Sequence, residues 1–164
     1  MNLVSVELEA RPTIFVRAHA PMAEIQAAMS PAFATLDRFL EARRIVPQGP
    51  PFAIYHDWSG GSTAVDIGFP VTAKDSEKAT GLVQAGMTPP GFAVKTLVQG
   101  SYAGFAHVYA EIDRAMKEAK VSESRLMWEI YLSDPEATAE PDLITEIYAQ
   151  VSARDALKFP REHS

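Results

Sequence analysis

An internal repeat constrains this chain more than any other feature. Ile54-Tyr55 recurs as Ile130-Tyr131, 76 residues on. Val65-Asp66-Ile67-Gly68-Phe69-Pro70-Val71 is echoed by Thr145-Glu146-Ile147-Tyr148-Ala149-Gln150-Val151 at an offset of 80, and Val16-Arg17 by Val94-Lys95 at 78. Shared order and nearly shared spacing indicate a duplicated unit. The halves fall at about 12–72 and 90–151, with 73–89 as connector.

Each half reads as strand, helix, strand, strand. In the first, Thr13–Ala20 is β-rich and bounded by prolines. Met22, Ile25, Met29, Phe33, Leu36 and Leu40 then recur at helical spacing. Pro31 lacks a backbone donor, so a kink or break is expected at Ser30. Phe52–Trp58 and Ala64–Val71 follow as strands around the turn Ser59-Gly60-Gly61-Ser62. In the second half the strands are Phe92–Gln99, Arg125–Leu132 and Leu143–Val151. Its helix is capped by Ser101 and carries the stripe Phe105, Val108, Tyr109, Ile112 and Met116. Short strands at Leu3–Leu8 and near Leu82–Gln84 extend the sheet edge. The expected class is α+β: two such units forming one antiparallel sheet with both helices on one face. Residues 1–151 are read as one ligand-binding domain and 152–164 as a loose tail.

Composition narrows the function. The 164 residues contain no Cys, which removes disulfides and thiolate chemistry. Twenty-one acids against fifteen bases give a net charge of −6, a poor surface for nucleic acid and a favourable one for cations. The four His residues show no metal-ligand spacing, so neither metal nor cofactor is expected. No apolar run is long enough to span a bilayer, and no secretory signal is visible, so no membrane partner and a cytoplasmic location are expected.

Alternation along the strands then selects candidate site residues. Val65, Ile67, Phe69 and Val71 form one set, and Thr145, Ile147, Ala149 and Val151 another, both mostly apolar and placed under the helices. Asp66, Glu146 and Tyr148 point the other way. Ile54, Trp128, Ile130 and Leu132 look core-like by type. That assigns Tyr55, Asp57, Met127, Glu129 and Tyr131 to the opposite set, and whether the two opposite sets share one face stays open. If they do, a groove between the halves carries several tyrosines and up to four carboxylates, a setting that attracts cationic aromatic molecules. Glu129 is the sharpest candidate, a carboxylate inside the apolar run Leu126–Leu132. It is either a solvated strand residue or a partly buried acid.

These residues resemble a known family, the GyrI-like small-molecule-binding domain, which is also the effector-binding domain of AraC-type and MerR-type transcription regulators. The resemblance covers about 3–151. It is carried by Val6-Glu7-Leu8, the segment Pro50–Asp57, Val65–Val71, Gly100-Ser101-Tyr102, the block Trp128-Glu129-Ile130-Tyr131-Leu132-Ser133-Asp134-Pro135, and Thr145-Glu146-Ile147-Tyr148. It implies a duplicated fold that binds small, lipophilic, cationic molecules, with the glutamate of the Glu-x-Tyr block, here Glu129, as the central acid. Tyr55, Tyr131 and Trp128 are the aromatic positions nearest the block, and Asp57, Glu146 and Tyr148 complete the expected ligand set. The chain begins almost at this domain, so a stand-alone binder without direct nucleic-acid contact is expected. Two alternatives follow from relatives. One is hydrolysis of reactive cyclopropane-bearing compounds, with Glu129 as general base and Tyr55 or Tyr102 orienting the substrate. The other is binding of a protein partner, as in gyrase-inhibiting members.

Overall fold

In a computed structural model of the chain, residues 2–21, 24–56, 62–122 and 126–163 are described, Gln26 by its backbone alone. The chain forms two compact units. The first joins Met1–Leu8 to Pro90–Ser164, and the second is Glu9–Pro89.

The second unit contains β2 (Pro12–Pro21), α1 (Ile25–Arg43), β3 (Phe52–His56), β4 (Ser62–Pro70), the short α2 (Ala73–Ser76) and β5 (Gln84–Met87), after β1 (Val4–Leu8) has been given to the other unit. Its antiparallel strands run in the order β3-β4-β2-β5. Directly paired residues share a face. Val16 opposes Ile67, and Tyr55 opposes Val65; the Tyr55 hydroxyl donates to Met29 Sδ of α1 at 3.8 Å, which identifies this as the face under the helix. Ile25, Met29, Ala32, Leu36 and Leu40 of α1 are buried.

The first unit contains β1, β6 (Gly91–Gln99), α3 (Phe105–Glu118), β7 (Leu126–Tyr131), β8 (Ile144–Gln150) and α4 (Ala153–Ala156), with strand order β1-β6-β8-β7. Gly100, at φ 123°, makes the turn out of β6, and Ser101 accepts from the Ala103 amide, as a cap should. Leu3, Val94, Phe105, Ile112, Met116, Ile147 and Ala149 form the core between α3 and the sheet.

The α+β class and the repeat both hold. The pairing Val16–Ile67 becomes Thr96–Ile147 at an offset of 80, and Tyr55–Val65 becomes Tyr131–Thr145 at offsets of 76 and 80. The helices follow: Ile25, Met29 and Leu36 are matched by the inward residues Phe105, Tyr109 and Met116. Val94 therefore corresponds to Ile14, not to Val16.

Two expectations change. The helix does not break at Ser30: α1 runs through Pro31, and the Thr35 hydroxyl bonds the Pro31 carbonyl. One missing donor is tolerated where the buried stripe continues on both sides. Residues 152–164 do not form a loose tail. Ser152 caps α4, the Ser5 amide donates to the Pro160 carbonyl at 2.7 Å, and the Glu162 amide to the Ser5 carbonyl at 2.9 Å. The tail thus satisfies the outer edge of β1, where bare backbone groups would be costly. The turn at Ser59-Gly60-Gly61, with Asp57, lies outside the described residues.

Candidate functional site

Glu129 sits in the middle of β7 opposite Ile147, so its side chain shares the face covered by α3. It is only 3% exposed. A carboxylate so buried needs hydrogen-bond donors. Tyr109 of α3 donates its hydroxyl to Glu129 Oε2 at 2.5 Å, and Tyr131 donates to Oε1 at 2.6 Å. One phenol on each oxygen is the pattern an ionised, acceptor-only carboxylate takes. The Tyr102 ring meets Tyr131 edge-on at 5.7 Å and Phe105 at 5.4 Å, forming an aromatic wall. Burial first, and then the charges of Glu129 and Asp134, raise the Tyr102 pKa, so this phenol stays neutral. Thr145, opposite Tyr131, is fully buried; among the described residues its Oγ1 is a buried side-chain oxygen with no hydrogen-bond partner.

The sequence-derived site residues do not share one face. The pairing of Glu129 with Ile147 puts Glu129, Tyr131 and Met127 on the helix-covered face. Trp128, Tyr148 and Glu146 are on the opposite face, with Ile130. The inference from residue type failed because Trp128 is buried on the face away from α3: its ring stacks on Tyr148 at 5.2 Å, 6° from parallel. There Lys95 lies between Glu146, at 2.9 Å, and Glu162, and 5.8 Å from the Tyr148 ring centre. Burial opposes the Lys95 charge, but the bonds to Glu162 and Glu146 outweigh it and raise its pKa. Burial and the Glu146 charge push the Tyr148 phenol up to about 12. Tyr55 belongs to the other unit, where it meets Met29.

Two contributors were not singled out as site residues: Tyr109 was one member of the helix stripe, and Thr145 one of the strand residues placed under the helix. The only signal was their polarity at inward positions. The second unit also holds an unexpected cluster. His56 Nε2 lies 2.7 Å from Asp66, which Arg17 also grips at 2.6 and 2.9 Å.

No functionally curated protein matches the sequence. Among solved structures, the chain is similar to the EcmrR C-terminal domain, at 16% identity and a TM-score of 0.78 over 92% of this chain and 97% of that one. It is similar to SAV2435 in its structure bound to tetraphenylphosphonium, at 12% identity and a TM-score of 0.69 over 94% and 96% of the two chains. It is also similar to a hydrolase from Listeria innocua, at 16% identity and a TM-score of 0.59 over 92% of each chain. At these identities the likeness is one of fold. The sequence itself matches the model of the GyrI-like small molecule binding domain over residues 1–152, and the chain belongs to that family.

Proposed function

We propose that this GyrI-like domain captures lipophilic, cationic aromatic molecules, with Glu129 as the central acid. The observation that carries this reading is a carboxylate 3% exposed, each of whose oxygens accepts from a phenol beneath an aromatic wall. A carboxylate in so apolar a setting attracts a ligand cation strongly. Tyr102, Tyr109 and Tyr131 offer ring faces to the same cation. The phenols cap the acid in the free protein, so a ligand reaches it by displacing at least one hydroxyl. The Thr145 hydroxyl gives a polar ligand atom a partner beside it. The tetraphenylphosphonium bound to the similar SAV2435 supports a ligand of this class. The expected partner is thus a small molecule.

The test is calorimetric titration with tetraphenylphosphonium and, as a neutral comparison, triphenylphosphine oxide. Glu129→Gln should cost about 1.5–3 kcal/mol of cation affinity, tenfold or more, and leave the neutral ligand little changed. A loss below about tenfold would remove Glu129 from the centre of the site. Hydrolysis is the second reading, supported by the similar Listeria innocua hydrolase. Glu129 would then activate water, with Tyr102 orienting the substrate. Turnover of a cyclopropane-bearing compound that Glu129→Gln abolishes without abolishing binding distinguishes it.

A further inference from the structure

The two margins of the first unit's β1–β6 ladder are treated differently. The outer edge of β1 is covered by Pro160–Glu162. On the same side, β6 loses its partner early: the β1 register ends at Val4–Lys95, while β6 runs on through Thr96, Leu97, Val98 and Gln99. Backbone groups alternate sides along an antiparallel strand. The Phe92 carbonyl and the Gly100 amide both bond toward the β8 side, which fixes the phase. The amides and carbonyls of Leu97 and Gln99 therefore point outward, where no strand among the described residues receives them.

Natural sheet edges are blunted by charges, prolines or bulges. The segment Thr96-Leu97-Val98-Gln99 has none of the three, and Leu97 is 60% exposed. Around it lies a cleft of about 670 Å3. Leu97, Val98 and Val108 give the cleft its apolar surface, and Glu111, Glu146 and Glu162 its acids. Glu146 and Glu162 already hold one ammonium, that of Lys95. Glu111, on the α3 side, has His107 at 2.8 Å as its ion-pair partner among the described residues.

We propose that this edge binds an extended peptide strand with alternating apolar and basic side chains. Main-chain hydrogen bonds to Leu97 and Gln99 give affinity, and alternate side chains give specificity. The apolar side lies over Leu97, and the basic side turns toward Val98, Val108 and Glu111. A second copy of the chain is disfavoured as occupant, because pairing the same edges sets like acids together at a net charge of −6. The proposal is independent of the Glu129 site.

The test uses the full chain and acetyl-Val-Lys-Val-Lys-Val-Lys-amide, with a glutamate-for-lysine peptide and a backbone N-methylated peptide as comparisons. Binding is read by amide NMR. The lysine peptide should slow hydrogen exchange at Leu97 and Gln99 selectively and bind about tenfold more tightly than the glutamate peptide at low salt. N-methylation should abolish binding. Glu111→Lys, a change on the exposed side of α3, should invert the charge preference while tetraphenylphosphonium titration stays unchanged. Equal binding of both charge types, or no slowing at Leu97 and Gln99 under saturating lysine peptide, overturns the proposal. So does a dimer by sedimentation whose Leu97 and Gln99 amides are protected without any peptide.

Discussion

The face under α3 and the face under α1 are built from the same positions with different chemistry. Where the first unit places Tyr109, Glu129, Tyr131 and Thr145, the second places Met29, Ala53, Tyr55 and Val65. Of these four positions only the tyrosine of β3 and β7 is common to both; the Tyr55 hydroxyl meets a thioether, the Tyr131 hydroxyl a carboxylate. One copy of the repeat keeps an ordinary apolar core. The other has given up core for a buried acid, its two phenols and an orphan hydroxyl. Polar groups in such a place cost stability, and in the first unit four of them meet under one helix.

The opposite faces differ too. In the second unit Gly68 takes the place of Tyr148. A Cβ there would come 2.2 Å from the Ile14 carbonyl oxygen and 2.9 Å from the Phe52 ring. The first unit stacks Trp128 on Tyr148 where the second brings Phe52 against bare backbone. Its cation is Lys95, held by Glu146 and Glu162, against Arg17 held by Asp66.

The strongest way to break this contrast is to install the acid in the unit that lacks it. Ala53→Glu should destabilise the protein by about 3–5 kcal/mol, since no phenol pair awaits the charge. Adding Met29→Tyr should recover part of the loss. Denaturant midpoints check both, and a cost below about 1 kcal/mol for Ala53→Glu would mean that the two faces are equally able to hold a carboxylate. A smaller effect comes from exchanging Thr145 and Val65. Val65→Thr should cost about 1–3 kcal/mol by burying a hydroxyl, while Thr145→Val should be neutral or stabilising in the free protein, because its hydroxyl has no bond to lose. Equal costs for the two would show that Thr145 is satisfied after all. The smallest effect is alkaline. Tyr148, pushed up to about 12, keeps its proton in the folded state where an unfolded tyrosine has lost it. Its contribution to stability is complete below the ordinary tyrosine pKa of about 10 and disappears as pH rises toward 12. Absorbance at alkaline pH should show one phenolate appearing near pH 12, and Tyr148→Phe should remove that step.

Much of this was legible in the sequence because periodicity is local. The strands at 13–20, 52–58, 64–71, 92–99, 125–132 and 143–151 are found within a residue or two over the described positions, since β-branched and aromatic runs between prolines and glycines admit few other readings. The face of Glu129 was not legible. Alternation says that Glu129 and Trp128 point opposite ways, but not which of them meets the helix. That is decided by pairing with Ile147, a residue eighteen positions away. Size and apolarity pointed to Trp128 as the core residue, and the Trp128–Tyr148 stack shows how a tryptophan is buried without the core. His56 and Asp66 were missed for a related reason, because they meet only across the β3–β4 ladder.

The assignment of β1 to the unit completed last has a consequence for synthesis. Glu9–Pro89 is one uninterrupted stretch, so every strand of its ladder has been made once the ribosome has passed Pro89. The unit with Glu129 must instead recruit Val4–Leu8 to a strand made some ninety residues later, Val4 meeting Lys95. Closing so long a loop is slow, and until it closes a β-rich segment of the nascent chain waits unpaired. The apolar copy of the repeat is thus placed to fold first, and the copy that carries the buried acid assembles after it.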